Sequence, residues 1–215
     1  MSIFRKSLSA IVLAAAMTVP VAASAQSFKP KSAGDIVIRG RALAIVPDES
    51  SSVSINGDVD VDEAFTGEID FSYFATDNIA VELIAATANH DVKLEDSDVG
   101  DLDLGDVWLL PPTLTAQYHF LPKQRISPYI GAGVNLTVFF GAESGQADDI
   151  DYDTSVGPAF QFGVDYALDG PWSLNLDVKK IFIDSDVTVN ALGTTVDADV
   201  DINPWVVGLG VAYRF

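Results

Sequence analysis

The chain closes on Trp205-Val-Val-Gly-Leu-Gly-Val-Ala-Tyr-Arg-Phe215. Trp205, Val207, Leu209, Val211, Tyr213 and Phe215 fall on one face at period two, and Val206, Gly208, Gly210, Ala212 and Arg214 on the other. That is the period of a strand. The large apolar face carries Trp at one end and Tyr and Phe at the other. About ten alternating residues with aromatic ends are what one bilayer-crossing strand needs. The stretch reads as a strand of an outer membrane barrel rather than of a soluble sheet.

Upstream, seven more segments alternate in the same way: Gly34–Val46, Ala64–Ala75, Ile79–Asn89, Thr113–Leu121, Pro128–Phe140, Gly157–Leu168 and Trp172–Ile183. Their connections alternate in length. Thr76 to Asn78, Pro122 to Ser127 and Asp169 to Pro171 are short and rich in turn residues. Pro47 to Glu63, His90 to Pro112, Gly141 to Val156 and Asp184 to Pro204 are long. The expected fold is all-β: an eight-stranded antiparallel transmembrane β-barrel with short periplasmic turns and longer extracellular loops. Aromatics support the phasing. Tyr73, Phe120, Tyr129, Tyr166, Trp172, Tyr213 and Phe215 fall near short-turn ends, and Phe65, Phe140, Phe182 and Trp205 near long-loop ends. A one-residue phase error would scatter them.

The same phasing sorts the inward residues by height. In the lower and middle lumen stand Arg39, Arg41, Glu68, Asp70, Glu82, Asp165, Asp177, Lys179 and Arg214. Eight strands enclose a lumen that side chains can fill, and charges there must be paired. An ionic plug is therefore expected, with hydrogen bonds from Gln117, His119 and Tyr129. Higher up, the inward set becomes Leu43, Ile45, Ile84, Ala86, Ile181, Ile183 and Val206. A simple porin has a polar lumen throughout. An apolar upper lumen above a charged plug suits a small hydrophobic ligand, although the same residues could merely pack together. A ligand stopped by the plug would have to leave sideways into lipid. Pro158 and Pro204, which donate no ladder hydrogen bond, are the candidate weak points. Gly131, Gly133, Gly208 and Gly210 relieve crowding or permit close approach.

The N-terminus reads differently. Arg5 and Lys6 precede a short apolar run from Leu8 to Val19, and Ala23-Ser-Ala25 supplies a small-x-small cleavage site. Residues 1–25 are expected to be a cleaved signal peptide, leaving 26–215 as the outer membrane barrel domain; a membrane anchor is the rival. Loss of Arg5 and Lys6 would take the formal charge of −19 to −21. Such acidity argues against nucleic acid. With no cysteine, no disulfide framework is available.

The long connections carry Asp58-Val-Asp60-Val-Asp62, Asp96 to Asp106, Asp148-Asp-Ile-Asp151-Tyr-Asp153 and Asp197-Ala-Asp199-Val-Asp201. They read as solvated loops, or as sites where divalent cations meet lipopolysaccharide. They are not calcium loops: Thr154 stands where an EF-hand starting at Asp149 needs Gly, and Phe160 where it needs Glu. No metal site or cofactor is expected. If the strand phase persists upward from Trp205, then Asn203, Asp201, Asp199 and Asp197 face outward. Asn135-Leu-Thr137 matches a glycosylation triplet but lies inside a strand. The two histidines, His90 and His119, lack a nucleophile motif, so no enzyme is expected.

Thr76-Asp-Asn-Ile-Ala-Val-Glu-Leu-Ile-Ala-Ala-Thr87, Leu110-Pro-Pro-Thr-Leu-Thr-Ala-Gln-Tyr-His-Phe120, Pro128-Tyr-Ile-Gly-Ala-Gly-Val-Asn-Leu-Thr-Val-Phe-Phe140 and Asp201-Ile-Asn-Pro-Trp205 through Phe215 together resemble the OmpW family of outer membrane proteins. The resemblance covers nearly the whole chain after the signal segment, in order; the acidic loops match nothing that can be carried over. It implies a hydrophobic lumen, uptake of small hydrophobic molecules and lateral release into the membrane. It also implies that Tyr213 and Phe215 mark the C-terminus for the barrel assembly machinery. The alternative is a non-transporting structural or surface-interaction barrel, contacting lipopolysaccharide through cations or serving as a toxin or phage receptor. Either way the expected surroundings are outer membrane lipids and lipopolysaccharide of a Gram-negative cell, with the barrel a monomer.

Overall fold

The computed structural model describes residues 28–48, 50–53, 58–95, 102–142, 145, 149–191 and 194–215. The expected signal segment, 1–25, lies outside the described residues. Eight strands make the wall: β1 (Ile36–Val46), β4 (Ala64–Phe74), β5 (Ile79–Ala86), β8 (Thr113–His119), β9 (Ile126–Phe140), β11 (Ser155–Ala167), β12 (Trp172–Ile181) and β15 (Trp205–Arg214). Each pairs antiparallel with its neighbours. β9 joins β11 from Ser155↔Thr137 to Tyr166↔Ile126, and β15 joins β1 from Val37↔Arg214 to Val46↔Trp205, so the sheet closes on itself. Closure satisfies every edge, which a sheet inside a bilayer requires. No described helix is long and apolar enough to cross a membrane.

The closing strand shows why the sequence folds this way. Trp205, Val207, Leu209, Val211 and Phe215 are exposed on the outer wall, while Val206, Gly208, Ala212 and Arg214 are buried inside. Gly210 is required by close approach: a Cβ there would meet the backbone of Gly40 and Arg41. Gly133 is similarly pressed against the backbone of Leu114 and Thr115. Trp172, Tyr213 and Phe215 stack edge to face near the short turns, with successive ring centroids 4.9 and 4.7 Å apart. Tyr129 departs from the expected girdle, because its phase on β9 turns it fully inside.

The long connections are not irregular loops. They contain β2 (Ser50–Val53), β3 (Asp58–Val61), β6 (Ala88–Glu95), β7 (Leu102–Leu110), β10 (Asp149–Tyr152), β13 (Asp184–Ala191) and β14 (Thr194–Asp201). These carry the wall beyond the bilayer. Ala198, Val200 and Ile202 are buried, and Asp197 and Asp199 exposed between them. The outward phase from Trp205 therefore continues through the acidic stretch. Alternation persists because the inner face still covers apolar side chains, while the outer face meets water instead of lipid.

Candidate functional site

The lower lumen is an ionic floor. Arg39 is fully buried and its guanidinium reaches Glu82 at 2.8 Å, Asp165 at 3.1 Å and Asp70 at 3.5 Å. Arg41 holds Glu68 at 2.6 Å and Asp70 at 2.7 Å. Lys179 holds Glu68 at 2.8 Å and Asp177 at 3.0 Å. The Tyr129 hydroxyl donates to Asp177 at 2.6 Å and accepts from Asn175 at 3.0 Å. Gln161 donates to both Glu82 and Asp177. Delocalised Arg charge meeting several carboxylates is the arrangement that makes burial of so many ions tolerable.

Two placements differ from expectation. Arg214 stands at the periplasmic rim, 3.6 Å from Asp35 and bonded to the Lys29 carbonyl, because its strand position lies below the floor. The fourth cation of the floor is instead Lys31. Its ammonium donates to Asp165 at 2.7 Å and Ser127 at 2.9 Å and lies 2.8 Å from His119 Nδ1. Lys31 belongs to a strap, Phe28 to Asp35, drawn across the short-turn end. The strap bonds to Pro122, Phe74 and Lys123, and Phe28 bridges to Gly170. His119 also contacts Gln117 through Nε2.

Above the floor, Leu43, Ile45, Ile181, Ile183 and Val206 form one buried apolar cluster with Val61, Val92, Val107, Leu109, Ile150, Val187, Val189, Val200 and Ile202; Ala86, Phe139 and Tyr152 pack against it. Most of these additions come from the strands beyond the bilayer. Ile84 is inward and buried but lies outside the cluster, since its cross-strand partners are Asp70 and Thr113.

The wall between β5–β6 and β7–β8 is interrupted. The β5–β8 ladder ends at Ile84↔Thr113 and the β6–β7 ladder begins at Ala88↔Leu109. Both have the same register, since the paired numbers sum to 197 on each side. Three pairs are therefore missing without any slip: Ala85, Ala86 and Thr87 opposite Pro112, Pro111 and Leu110. The cause is local. His119 N–H donates to the Asn78 carbonyl, and stepping by two from that hydrogen-bonded pair brings Ala86 opposite Pro111 in the same phase. Pro111 has no N–H for the Ala86 carbonyl. A hollow of about 540 Å³ opens on the outer wall here, lined by Gly40, Gly67, Ile69, Ala85, Ala86, Thr87 and Leu110 and reaching the floor residues Arg41 and Glu68 at its base. It sits just below the outer aromatics Phe65 and Trp108, two residues away along β4 and β7. At Pro158 and Pro204 one bond of each pair is lost but the other remains. Their carbonyls accept from Phe182 and Ile181 and keep the wall joined.

On the outer face of β13 and β14, Asp184 lies opposite Asp201 and Asp186 opposite Asp199. Within each pair the two carboxyl groups can share a hydrogen bond only when one of them is protonated. That contact, with like-charge repulsion, raises Asp184 and Asp186 above their ordinary 3.8. A raised carboxyl destabilises the fold when ionised, so the hairpin should tighten as pH falls through the folded value towards 3.8. Asp186→Asn should mimic this at neutral pH by slowing amide exchange at Val187 and Val189 a few-fold; unchanged exchange would show that the pairs are not under strain. Among the described residues, no three His, Cys, Asp or Glu side chains are grouped to hold a metal ion.

Comparison with known proteins fits this architecture. The profile of the OmpW family matches residues 32–215. An uncharacterized outer-membrane protein, y4mB, of Sinorhizobium fredii is 41% identical over 209 residues, covering 94% of this chain and 89% of the relative. Outer membrane protein W of Vibrio cholerae is 34% identical, covering 95% and 96%. The crystal structure of OprG from Pseudomonas aeruginosa superposes with a TM-score of 0.82 at 31% identity, covering 86% of this chain and 98% of that one.

Proposed function

The chain belongs to the OmpW family of outer membrane proteins, and from that premise we propose that it admits small hydrophobic molecules from outside and releases them sideways into the outer leaflet. It resides in the outer membrane as an all-strand barrel. In this reading residues 1–25 are a cleaved export signal, Tyr213 and Phe215 serve barrel assembly, and one chain forms the working unit. The observation that carries the proposal is the position of Ala86. It packs against the apolar cluster on its inner side and lines the hollow in the outer wall. A path from the cluster to lipid therefore needs to pass only the one place where the ladder is missing.

The ionic floor supports the direction. A hydrophobic solute gains nothing by entering a layer of paired charges and would have to break several of them. Lipid beside Ala85 and Thr87 offers an apolar destination at no such cost. The step is partitioning and needs no chemistry. Because the cluster is packed in this structure, admission requires its side chains to part. Thin walls beyond the bilayer, built from β2, β3, β10, β13 and β14, are suited to such movement.

Packing of the cluster also favours a second reading, in which the apolar residues stabilise the extended wall and the acidic outer face meets lipopolysaccharide. The two are separated by uptake of a hydrophobic fluorescent tracer into cells making wild type or Ile183→Asp protein. Ile183 is 3% exposed within the cluster. A carboxylate there should lower the protein-dependent uptake at least about tenfold, since a buried unpaired charge costs several kcal/mol. Equal uptake by a correctly folded variant would rule out this path, and no uptake by wild type would favour the structural reading.

A further inference from the structure

The missing N–H of Pro111 explains why the Ala86 carbonyl has no donor, but not why the Ala86 N–H fails to take the Pro111 carbonyl. The register still offers that bond. The reason lies on the other side of the strand, in the Asn135-Leu-Thr137 triplet. Period two on β9 turns Asn135 and Thr137 inward, where both are fully buried. Asn135 Nδ2 donates to the Pro111 carbonyl at 3.1 Å, and Thr113 Oγ1 donates to the same oxygen at 3.0 Å. A carbonyl oxygen has two lone pairs, and these two donors occupy both.

The orientation of the amide is fixed too. Thr137 Oγ1 donates to Asn135 Oδ1 at 2.6 Å, and Asn135 Nδ2 also donates to Thr113 Oγ1 at 2.8 Å. Flipping the amide would set its oxygen against the Pro111 carbonyl, so that carbonyl selects the orientation while the Thr137 and Thr113 hydroxyls hold the amide in place. We infer that Asn135, held by Thr137 and seconded by Thr113, is a latch that holds the Pro111 carbonyl away from Ala86 and so keeps the side opening from zipping shut. Asn135 is a positioning residue: it acts on the wall, not on the solute. The significance of the latch for transport rests on the lateral-release reading; its effect on the wall does not.

Removing the latch leaves a half-buried carbonyl without a partner, and the donor that the register sets opposite it is Ala86 N–H. An orphaned polar group inside a membrane wall is costly enough to pull the strands together. The test compares wild type, Asn135→Leu/Thr113→Val and the conservative Thr113→Ser. Two readouts are used: amide exchange at Ala86 in detergent-solubilised protein, and release of a hydrophobic tracer from the barrel into lipid vesicles. Exchange at Ala86 should slow at least tenfold in the double variant, and tracer release should fall several-fold, while Thr113→Ser behaves as wild type. Should the double variant fail to fold, Thr137→Val, which frees the amide to turn, should shift Ala86 exchange in the same direction. Wild-type exchange at Ala86 in a folded latch variant would overturn the inference. A wild-type barrel that passes no tracer would remove lateral release, and the exchange comparison would still decide the latch.

Discussion

Replacing Arg39 with Met should cost the barrel at least about 3–5 kcal/mol, the usual consequence of removing one partner from a buried ion cluster. That is a large share of a total that is of order 5–15 kcal/mol. Arg39 is completely buried, and its guanidinium spans Asp70, Glu82 and Asp165, which come from three different strands. Without it, Lys31, Arg41 and Lys179 would face Glu68, Asp70, Glu82, Asp165 and Asp177. Glu82 would keep Ser72 and Gln161 as donors at 2.7 and 2.9 Å, but its nearest remaining cation, Arg41, is 3.8 Å away. The measurement is urea unfolding of the barrel in lipid vesicles. A second change, Glu82→Gln, should recover part of the loss by removing one orphaned charge. The two changes should therefore be non-additive by about 0.5–3 kcal/mol, as for groups in direct contact. Additivity would mean that the cluster is not a connected network, and that Arg39 matters only for its volume.

That network was mostly legible before folding. Arg39 and Arg41 sit two apart, as do Glu68 and Asp70, and Asp177 and Lys179, so a single inward phase on each strand commits all of them to the lumen. Register then decides who meets whom: Arg39 lies opposite Asp70 and Arg41 opposite Glu68 on neighbouring strands. Lys31 was not legible, because Lys29-Pro-Lys-Ser32 has no period and its placement depends on a strap held by tertiary contacts. Arg214 has the inward face and the periplasmic end that its strand position implies but pairs with Asp35 outside the floor; the phase of a strand carries no information about where the floor ends. The seven strands beyond the bilayer were hidden by their aspartates. Acidic composition suggested loops, whereas Ala198, Val200 and Ile202 kept the period on the covered face. The wall gap was hidden for a related reason. Pro111-Pro112 reads as the end of a loop, which points to Pro158 and Pro204 instead, where the missing N–H costs one bond but the carbonyl still joins the wall. Distinguishing these cases needs to know which neighbour each proline faces.

That distinction yields the sharpest test of the side opening. Pro111 and Pro112 are adjacent, but their backbone groups point to opposite neighbours. The Pro112 carbonyl accepts from Leu136 on β9 at 3.0 Å, whereas Pro111 faces Ala86 on β5. Pro111→Val should therefore supply a donor to the Ala86 carbonyl and close the gap, and Pro112→Val should add its donor on the β9 side and leave the gap open. A restored ladder bond contributes about 0.5–1.5 kcal/mol in water, and more where lipid is the only alternative partner. Since about 1.4 kcal/mol is a factor of ten, the open population of Pro111→Val should drop roughly tenfold, carrying the rate of tracer release with it. Its thermal unfolding temperature should rise at the same time, so lost transport could not be blamed on a damaged barrel. The Pro112→Val protein should release tracer at the wild-type rate. If both variants lose release equally, proline chemistry at this bend affects the wall generally and the Ala86 position is not the exit; if neither does, the solute leaves elsewhere. Only the asymmetric result fits a door whose one missing hydrogen-bonded pair is Ala86 with Pro111.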